Sequence, residues 1–379
     1  NMMWMTLLVY DYIIPGEKPM KRVAILTFHR AHNYGAVFQA YALQEAISEK
    51  CDSYILDYRC NNIEKFYYRK PTIKSIVKQI IFPRLCQQSR ERKRRYIEFS
   101  NKYFRLSDKY TSDNIKDANH EFDAFVAGSD QIWNPFITGY DLNYLLEFAE
   151  NGKAYTYAAS LGKARFVDWK EEFIKPLLKK INNISFREKT SVDMLNQYLP
   201  GLAPYTVIDP VYLLTRKQWM EKLGIDRKNK KKYIFMYFVA PQTNAIKKAK
   251  AIAEKKGWDI LYVDALRYKD SQIVNINNAG PVEFLELLLN AELVITTSFH
   301  ALSLSIIMNR PVLYELSKEI VNANSRLSDL AETLQLKEYE IKDTDSKYEI
   351  SYNWDDINSR IETLRSDSRN KLFLSLELS

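Results

Sequence analysis

His300 is one of four histidines in 379 residues, and its surroundings could make it reactive. An apolar run, Leu293–Ile295, turns polar at Thr296-Thr297-Ser298. After His300 an apolar pattern at helical spacing runs on to Pro311. This order predicts a buried strand that delivers a histidine and several hydroxyls to the first turn of a helix. The first N–H groups of a helix lack intrahelical acceptors and carry a partial positive charge, so such a turn attracts anions. A histidine placed there can move a proton on an anionic substrate or hold that substrate by hydrogen bonds. A histidine satisfied within the fold would fit the same spacing.

Four other clusters could carry chemistry. His29-Arg30-Ala31-His32-Asn33-Tyr34-Gly35 follows an apolar run and precedes a helical pattern. Asn33 and Gly35 suit a tight turn, and Arg30 and Asn33 supply donors. Nothing here matches a GxGxxG or Walker loop, so nucleotide binding is not indicated. Gly128-Ser129-Asp130-Gln131-Ile132-Trp133-Asn134-Pro135 offers the groups of a sugar site: carboxylate and amide hydrogen bonds with an aromatic platform. The alternative is a helix cap at Ser129 beside a buried tryptophan. Arg187 leaves the short apolar run Ile184-Ser185-Phe186 and could present a bidentate fork to phosphate or carboxylate; the alternative is a structural salt bridge. Arg326, at the end of Asn322-Ala323-Asn324-Ser325, could reach the same anion as His300.

Composition narrows the classes of function. Cys51, Cys60 and Cys86 are odd in number and without CxxC spacing, which argues against a disulfide framework or zinc site. With so few histidines and no HExxH or EF-hand pattern, no dedicated metal site is expected. No run approaches the roughly 18 apolar residues of a membrane span. A cytoplasmic protein is therefore expected. The net charge of +8 is local: residues 61–105 carry thirteen Lys/Arg against Glu64, Glu91 and Glu98, so the remainder is close to neutral. That distribution speaks against nucleic-acid binding by the whole protein. Within the segment, Ile73, Ile76, Val77, Ile80, Ile81 and Phe82 alternate with Lys74, Lys78 and Arg84 as one apolar helical face with basic flanks. Such a face could lie peripherally on the inner, anionic face of a membrane or pack on the domain with its charges solvated.

The elements that must position these clusters alternate between strand-like and helix-like runs, the pattern of a parallel α/β architecture. Strands are predicted at Val23–Phe28, Tyr54–Leu56, Phe122–Ala127, Lys153–Ala158, Asn183–Phe186 and Tyr205–Ile208. Helices fall over Gly35–Glu49, Thr72–Ile81, Gln87–Phe104, Trp169–Ile181 and Arg187–Tyr198. Asp209-Pro210 marks a hinge, because the residue before proline is pushed to extended backbone. A helix around Arg216–Leu223 leads to a second set: strands at Tyr233–Phe238, Asp259–Val263, Leu293–Thr296 and Val312–Tyr314, with helices at Asn244–Lys256, Pro281–Asn290 and after His300. Trp354, Ile357, Ile361 and Leu364 recur at helical spacing in the tail. The expected organisation is an N-terminal extension (1–19), an N-terminal Rossmann-like domain (20–209), a C-terminal one (210–345) and a helical tail (346–379). The clusters, all at strand ends, should face a cleft between the two domains.

Taken jointly, six segments resemble the polysaccharide pyruvyl transferase family. They are Asn33-Tyr34-Gly35-Ala36 with Gln39-Ala40-Tyr41-Ala42-Leu43, Gly128-Ser129-Asp130-Gln131-Ile132-Trp133-Asn134, Ala158-Ala159-Ser160-Leu161-Gly162, Ile184-Ser185-Phe186-Arg187-Glu188, Asp209-Pro210, and Ser298-Phe299-His300-Ala301-Leu302-Ser303. They occur in the family's order over about residues 21–335. The resemblance implies a GT-B-like fold of two Rossmann-like domains with a C-terminal helix crossing back. It also implies transfer of pyruvate from phosphoenolpyruvate to a sugar, or to a lipid-linked oligosaccharide, as a cyclic ketal of a surface glycan. No cofactor is implied, phosphoenolpyruvate being the donor substrate. On this reading His300 and Arg187 are catalytic, Ser298, Ala301 and Arg326 bind the donor, and Asn33, Tyr34, Gly35, Asp130, Gln131 and Trp133 bind the acceptor. A GT-B glycosyltransferase using a nucleotide sugar and a non-catalytic glycan-binding protein on the same fold are the rival readings.

Overall fold

A computed structural model describes residues 20–68, 81, 83–228, 231–239, 244–263, 270–316, 321–342 and 350–378. The expected extension 1–19 and most of the helix Thr72–Ile81 lie outside these residues. So do Ile73, Ile76, Val77, Ile80 and Phe82 of the apolar face of segment 61–105.

Two five-stranded parallel sheets organise the chain. The first has the order β3-β2-β1-β4-β5, from β1 (Arg22–Leu26), β2 (Asp52–Tyr58), β3 (Leu106–Tyr110), β4 (Ala124–Gly128) and β5 (Ala154–Tyr157). After the small pair β6 (Ser185–Phe186) and β7 (Tyr205–Thr206), the second sheet repeats that order as β10-β9-β8-β11-β12. Its strands are β8 (Tyr233–Tyr237), β9 (Asp259–Val263), β10 (Ile273–Ile276), β11 (Leu293–Thr296) and β12 (Val312–Tyr314). The central strands read as continuous apolar runs because helices cover both faces of such sheets. In each sheet the order reverses beside the first strand, at β1/β4 and at β8/β11. Loops leaving those strands splay apart there and leave a crevice. The fold is thus two Rossmann-like domains, as the alternation of runs predicts.

The helices of the first domain are α1 (Tyr34–Ile47), α2 (Asn61–Tyr67), α3 (Pro83–Tyr103), α4 (Pro135–Thr138), α5 (Glu171–Lys180) and α6 (Lys189–Tyr198). Those that follow are α7 (Arg216–Leu223), α8 (Asn244–Lys256), α9 (Pro281–Asn290), α10 (Phe299–Ile307), α11 (Val321–Thr333) and α12 (Trp354–Ser375). α1 is apolar on nearly every side and buried throughout, since it is wedged between its own sheet and the second domain. Tyr34 shows how: its ring stacks on Phe284 of α9 at 4.0 Å, and its hydroxyl donates to the Ala279 carbonyl at 2.7 Å. Tyr34→Phe removes one buried interdomain hydrogen bond. It should lower stability by about 1 kcal/mol in chemical denaturation, with the packing otherwise intact.

The Asp209-Pro210 boundary is not an exposed hinge. Val211, Tyr212, Leu213 and Leu214 are all fully buried. α12 crosses back over this segment: Arg365 Nε donates to the Tyr212 carbonyl at 2.6 Å, and Ser368 Oγ accepts from the Ile208 amide at 3.0 Å. Beyond them Arg369 pairs with Glu49, and Lys21 Nζ donates to the Leu376 carbonyl at 2.9 Å. The tail therefore straps the crossover onto the first domain. In the basic segment, α3 sinks Tyr96 and Phe99 into the core, so its own apolar face is occupied. No helix among the described residues is long and apolar enough to cross a membrane.

Candidate active site

The two crevices face each other. β11 ends at Thr296, whose hydroxyl donates to the Tyr237 carbonyl at 2.6 Å and ties the turn to the neighbouring strand. Ser298 then caps α10: its Oγ accepts from the Ala301 amide at 3.4 Å. His300 follows as the second residue of the helix, as the polar-to-apolar switch predicts. On the opposite side β1 leads to Asn33, whose Oδ1 caps α1 by accepting from the Ala36 amide at 3.2 Å. Two helix starts, one from each domain, thus meet across the cleft with His300 between them.

The imidazole is flanked on two sides. Nε2 lies 3.5 Å from Asp209 Oδ2, a close electrostatic contact. The other edge lies on Gly35: a Cβ there would sit 2.0 Å from His300 Nδ1. Gly35 is therefore the seat of the ring. Gly35→Ala must displace His300. An expected loss of about 100-fold in turnover, with an unchanged circular-dichroism spectrum, would distinguish loss of the seat from loss of the fold.

Asp209, which the sequence offers as a hinge residue and a family segment but with no chemical role, is the hub of the site. It is buried. Its Oδ1 accepts from the Val211 amide at 3.1 Å, and its Oδ2 accepts from Arg187 Nη1 at 2.8 Å and Ser129 Oγ at 3.5 Å. Burial alone would push this carboxyl up. His300 and Arg187 more than offset that and hold it well below the usual carboxylate range. The network continues outward, with Arg187 Nε on Glu188 Oε1 at 3.0 Å and Ser160 Oγ on the same oxygen at 2.9 Å.

Arg187 is consequently not an open fork for a ligand. Its side chain is 3% exposed and two edges are taken by carboxylates. Only Nη2 lacks a partner, and it too is buried. The arginine with donors to spare is Arg326 on α11. Among the described residues it has no ion-pair partner. Burial, then Arg187, depress its pKa. A guanidinium desolvated beside a second one gains most from a bound anion.

A cavity of about 240 Å³ brings together Asn33, Asp130, Gln131, Ser298, His300 and Arg326. Asp130 holds a left-handed backbone (φ 68°), and its Oδ1 accepts from the Gln131 amide at 2.8 Å. Gln131 extends over Gly162, where a Cβ would lie 2.0 Å from its Oε1, which accounts for the glycine ending Ala158–Gly162. Three expected members are elsewhere. Trp133 is wholly buried: its indole N–H donates to the Tyr144 carbonyl at 3.0 Å and its ring packs against Phe186. It supports the loop and offers no sugar platform. Tyr34 is spent on the domain interface, and the Ala301 amide is spent on the cap of α10. The N–H groups of Phe299 and His300, which helix geometry leaves without acceptors, are the free donors of that turn. The side chains of residues 322–325 lie outside the described residues.

Two parallel sheets with facing crevices, joined by a buried carboxylate–histidine–arginine network, define a two-domain α/β protein with a polar cleft. The chain belongs to the polysaccharide pyruvyl transferase family, whose family model matches residues 33–314. Comparison with curated proteins gives no match. Among solved structures it is similar to the UDP-GlcNAc 2-epimerase of Methanocaldococcus jannaschii, at 12% identity over 92% of this chain and 94% of that one (TM-score 0.46). It is also similar to the UDP-GlcNAc 2-epimerase of Neisseria meningitidis, at 9% identity over 93% and 100% (TM-score 0.44). A UDP-glucosyltransferase of Polygonum tinctorium matches at 11% identity over 92% and 94% (TM-score 0.38).

Proposed function

We propose that this transferase-family protein moves pyruvate from phosphoenolpyruvate to a sugar diol, forming a cyclic ketal in surface polysaccharide biosynthesis. The observation that carries the reading is His300, backed by Asp209 and sharing one cavity with Arg326 at two facing helix starts. Phosphoenolpyruvate brings a phosphate and a carboxylate, and this cavity has a free guanidinium and unpaired N–H groups to meet them.

The chemistry needs proton transfers and stabilisation of a leaving phosphate. C3 of the enol gains a proton and C2 becomes electrophilic. The first sugar hydroxyl adds to C2 and gives up its proton. The C2–O bond to phosphate then breaks, and the second hydroxyl closes the ring with loss of its proton. His300 is the group for these protons, with Asp209 beside Nε2 steadying the ring. Arg326 and the N–H groups of Phe299 and His300 receive the departing phosphate. Asn33, Asp130 and Gln131 line the acceptor side.

The test is incubation with phosphoenolpyruvate and a panel of glycosides, read by mass spectrometry. A product heavier by about 70 Da, pyruvate added with loss of water, together with released phosphate, is expected of this acid–base reaction. Calorimetric binding of nucleotide sugars with none of phosphoenolpyruvate would instead make the protein a glycosyltransferase.

A further inference from the structure

A second cavity, of about 350 Å³, opens beside the first. Its walls include His32, Arg90, Arg92 and Lys93, with Tyr67, Ser89, Tyr96 and Asn277 completing them. Tyr67 is common to both cavities. The consecutive residues His32 and Asn33 divide between them, His32 lining the second and Asn33 the first.

This cavity is rich in cationic side chains. No carboxylate lines it among the described residues. On the same helix α3, Arg94 is paired with Glu91 and Glu98, and Arg95 with Glu91 and Glu283. Arg92 and Lys93, by contrast, have aromatic faces in place of carboxylates. Arg92 lies 5.4 Å from the Tyr34 ring centroid, and Lys93 Nζ lies 4.8 Å from that of Tyr68. Aromatic contact holds a cation in place and leaves its charge for a ligand. Arg92 Nη1 and His32 Nε2 are buried with no hydrogen-bond partner. Burial, then Lys93, Arg92 and Arg30, push His32 down to about 4. At neutral pH its ring is therefore uncharged and can hydrogen-bond to an oxygen of a bound anion.

We propose that this second cavity binds a phosphate or diphosphate ester borne by the acceptor, so that the sugar reaches His300 past Tyr67. Phosphoenolpyruvate has one phosphate, which the first cavity receives, so a separate cationic cavity calls for a second anionic substrate. The assignment to the acceptor rests on the pyruvyl-transfer reading; the anion site itself does not.

Calorimetric titration of inorganic pyrophosphate into the full chain tests the site. Binding to the wild type is expected, weakened about tenfold or more in Arg92→Gln and in Lys93→Gln, where a charge-assisted hydrogen bond is lost. Arg326→Gln removes any pyrophosphate held in the first cavity and should leave the binding that depends on Arg92 and Lys93. Lys93, nearer solvent, keeps the test open if Arg92→Gln fails to fold. Phosphoenolpyruvate affinity should be unchanged in Arg92→Gln and Lys93→Gln. No pyrophosphate binding, or binding lost in Arg326→Gln and retained in the α3 variants, would overturn the proposal. Should phosphoenolpyruvate bind nowhere while pyrophosphate still depends on Arg92 and Lys93, the anion site stands and the pyruvyl-transfer reading falls. Geranyl diphosphate and uridine diphosphate separate the carriers. Whichever binds tighter than pyrophosphate assigns a lipid or a nucleotide carrier, and equal affinities assign recognition to the phosphates alone.

Discussion

His300→Ala should cut phosphate release from phosphoenolpyruvate by about 10²–10⁴-fold, the usual worth of a positioned acid–base group. The fold should survive. The imidazole is 12% exposed and rests on a glycine, so its loss opens space at the cleft and leaves the core intact. His300→Gln sharpens the test, because an amide can hold a phosphate by hydrogen bonding but cannot carry a proton at neutral pH. Equal loss in both variants, with partial rescue by added imidazole, identifies a proton carrier. A glutamine variant near wild-type rate would reduce His300 to a phosphate contact. Full activity in the alanine variant would remove it from the mechanism altogether.

The second large effect concerns stability. Asp209→Ala leaves the buried Arg187 with a single carboxylate neighbour and strips the cap from Val211. Breaking a buried ion pair by removing one partner typically costs about 3–5 kcal/mol. Denaturant unfolding should show a loss of that size, accompanied by loss of turnover. The sign of the pH dependence follows from the depressed carboxyl. An unfolded Asp titrates at about 3.9, so the stabilisation is fully present above that value and is lost as pH falls below it towards the folded value. Wild type and Asp209→Asn should therefore converge in stability as the solution is acidified. A constant difference down to pH about 2 would mean that the charge of Asp209 does not contribute.

What could be read from the chain follows from what each residue depends on. Central strands such as Leu293–Thr296 are legible because burial on both faces demands an apolar run. The edge strands Leu106–Tyr110 and Ile273–Ile276 are not: one side of each faces solvent, and Asp108, Lys109 and Asn275 break the pattern. His300 at the head of a helix is legible from Thr296–Ser298 alone. Gly35 as its seat is not, since the reason for that glycine lies in another domain. Trp133 and Tyr34 mislead in the opposite way. An aromatic ring in a polar loop suits a sugar, but both spend their polar atoms on backbone carbonyls inside the protein. Asp209 is not legible as a catalytic neighbour, because Pro210 beside it suffices to explain a break in the chain. Its carboxylate acquires meaning only when Arg187 and His300 are brought to it.

The strap formed by α12 has a mechanical meaning. It fixes the segment bearing Asp209 to the half of the molecule that also carries Gly35, whereas His300 rides on the other half. The imidazole is thus the key and the first half the lock. Any separation of the halves unseats the ring and takes it from its carboxylate in a single movement. The pairing of imidazole and carboxylate therefore depends on contact between the two halves.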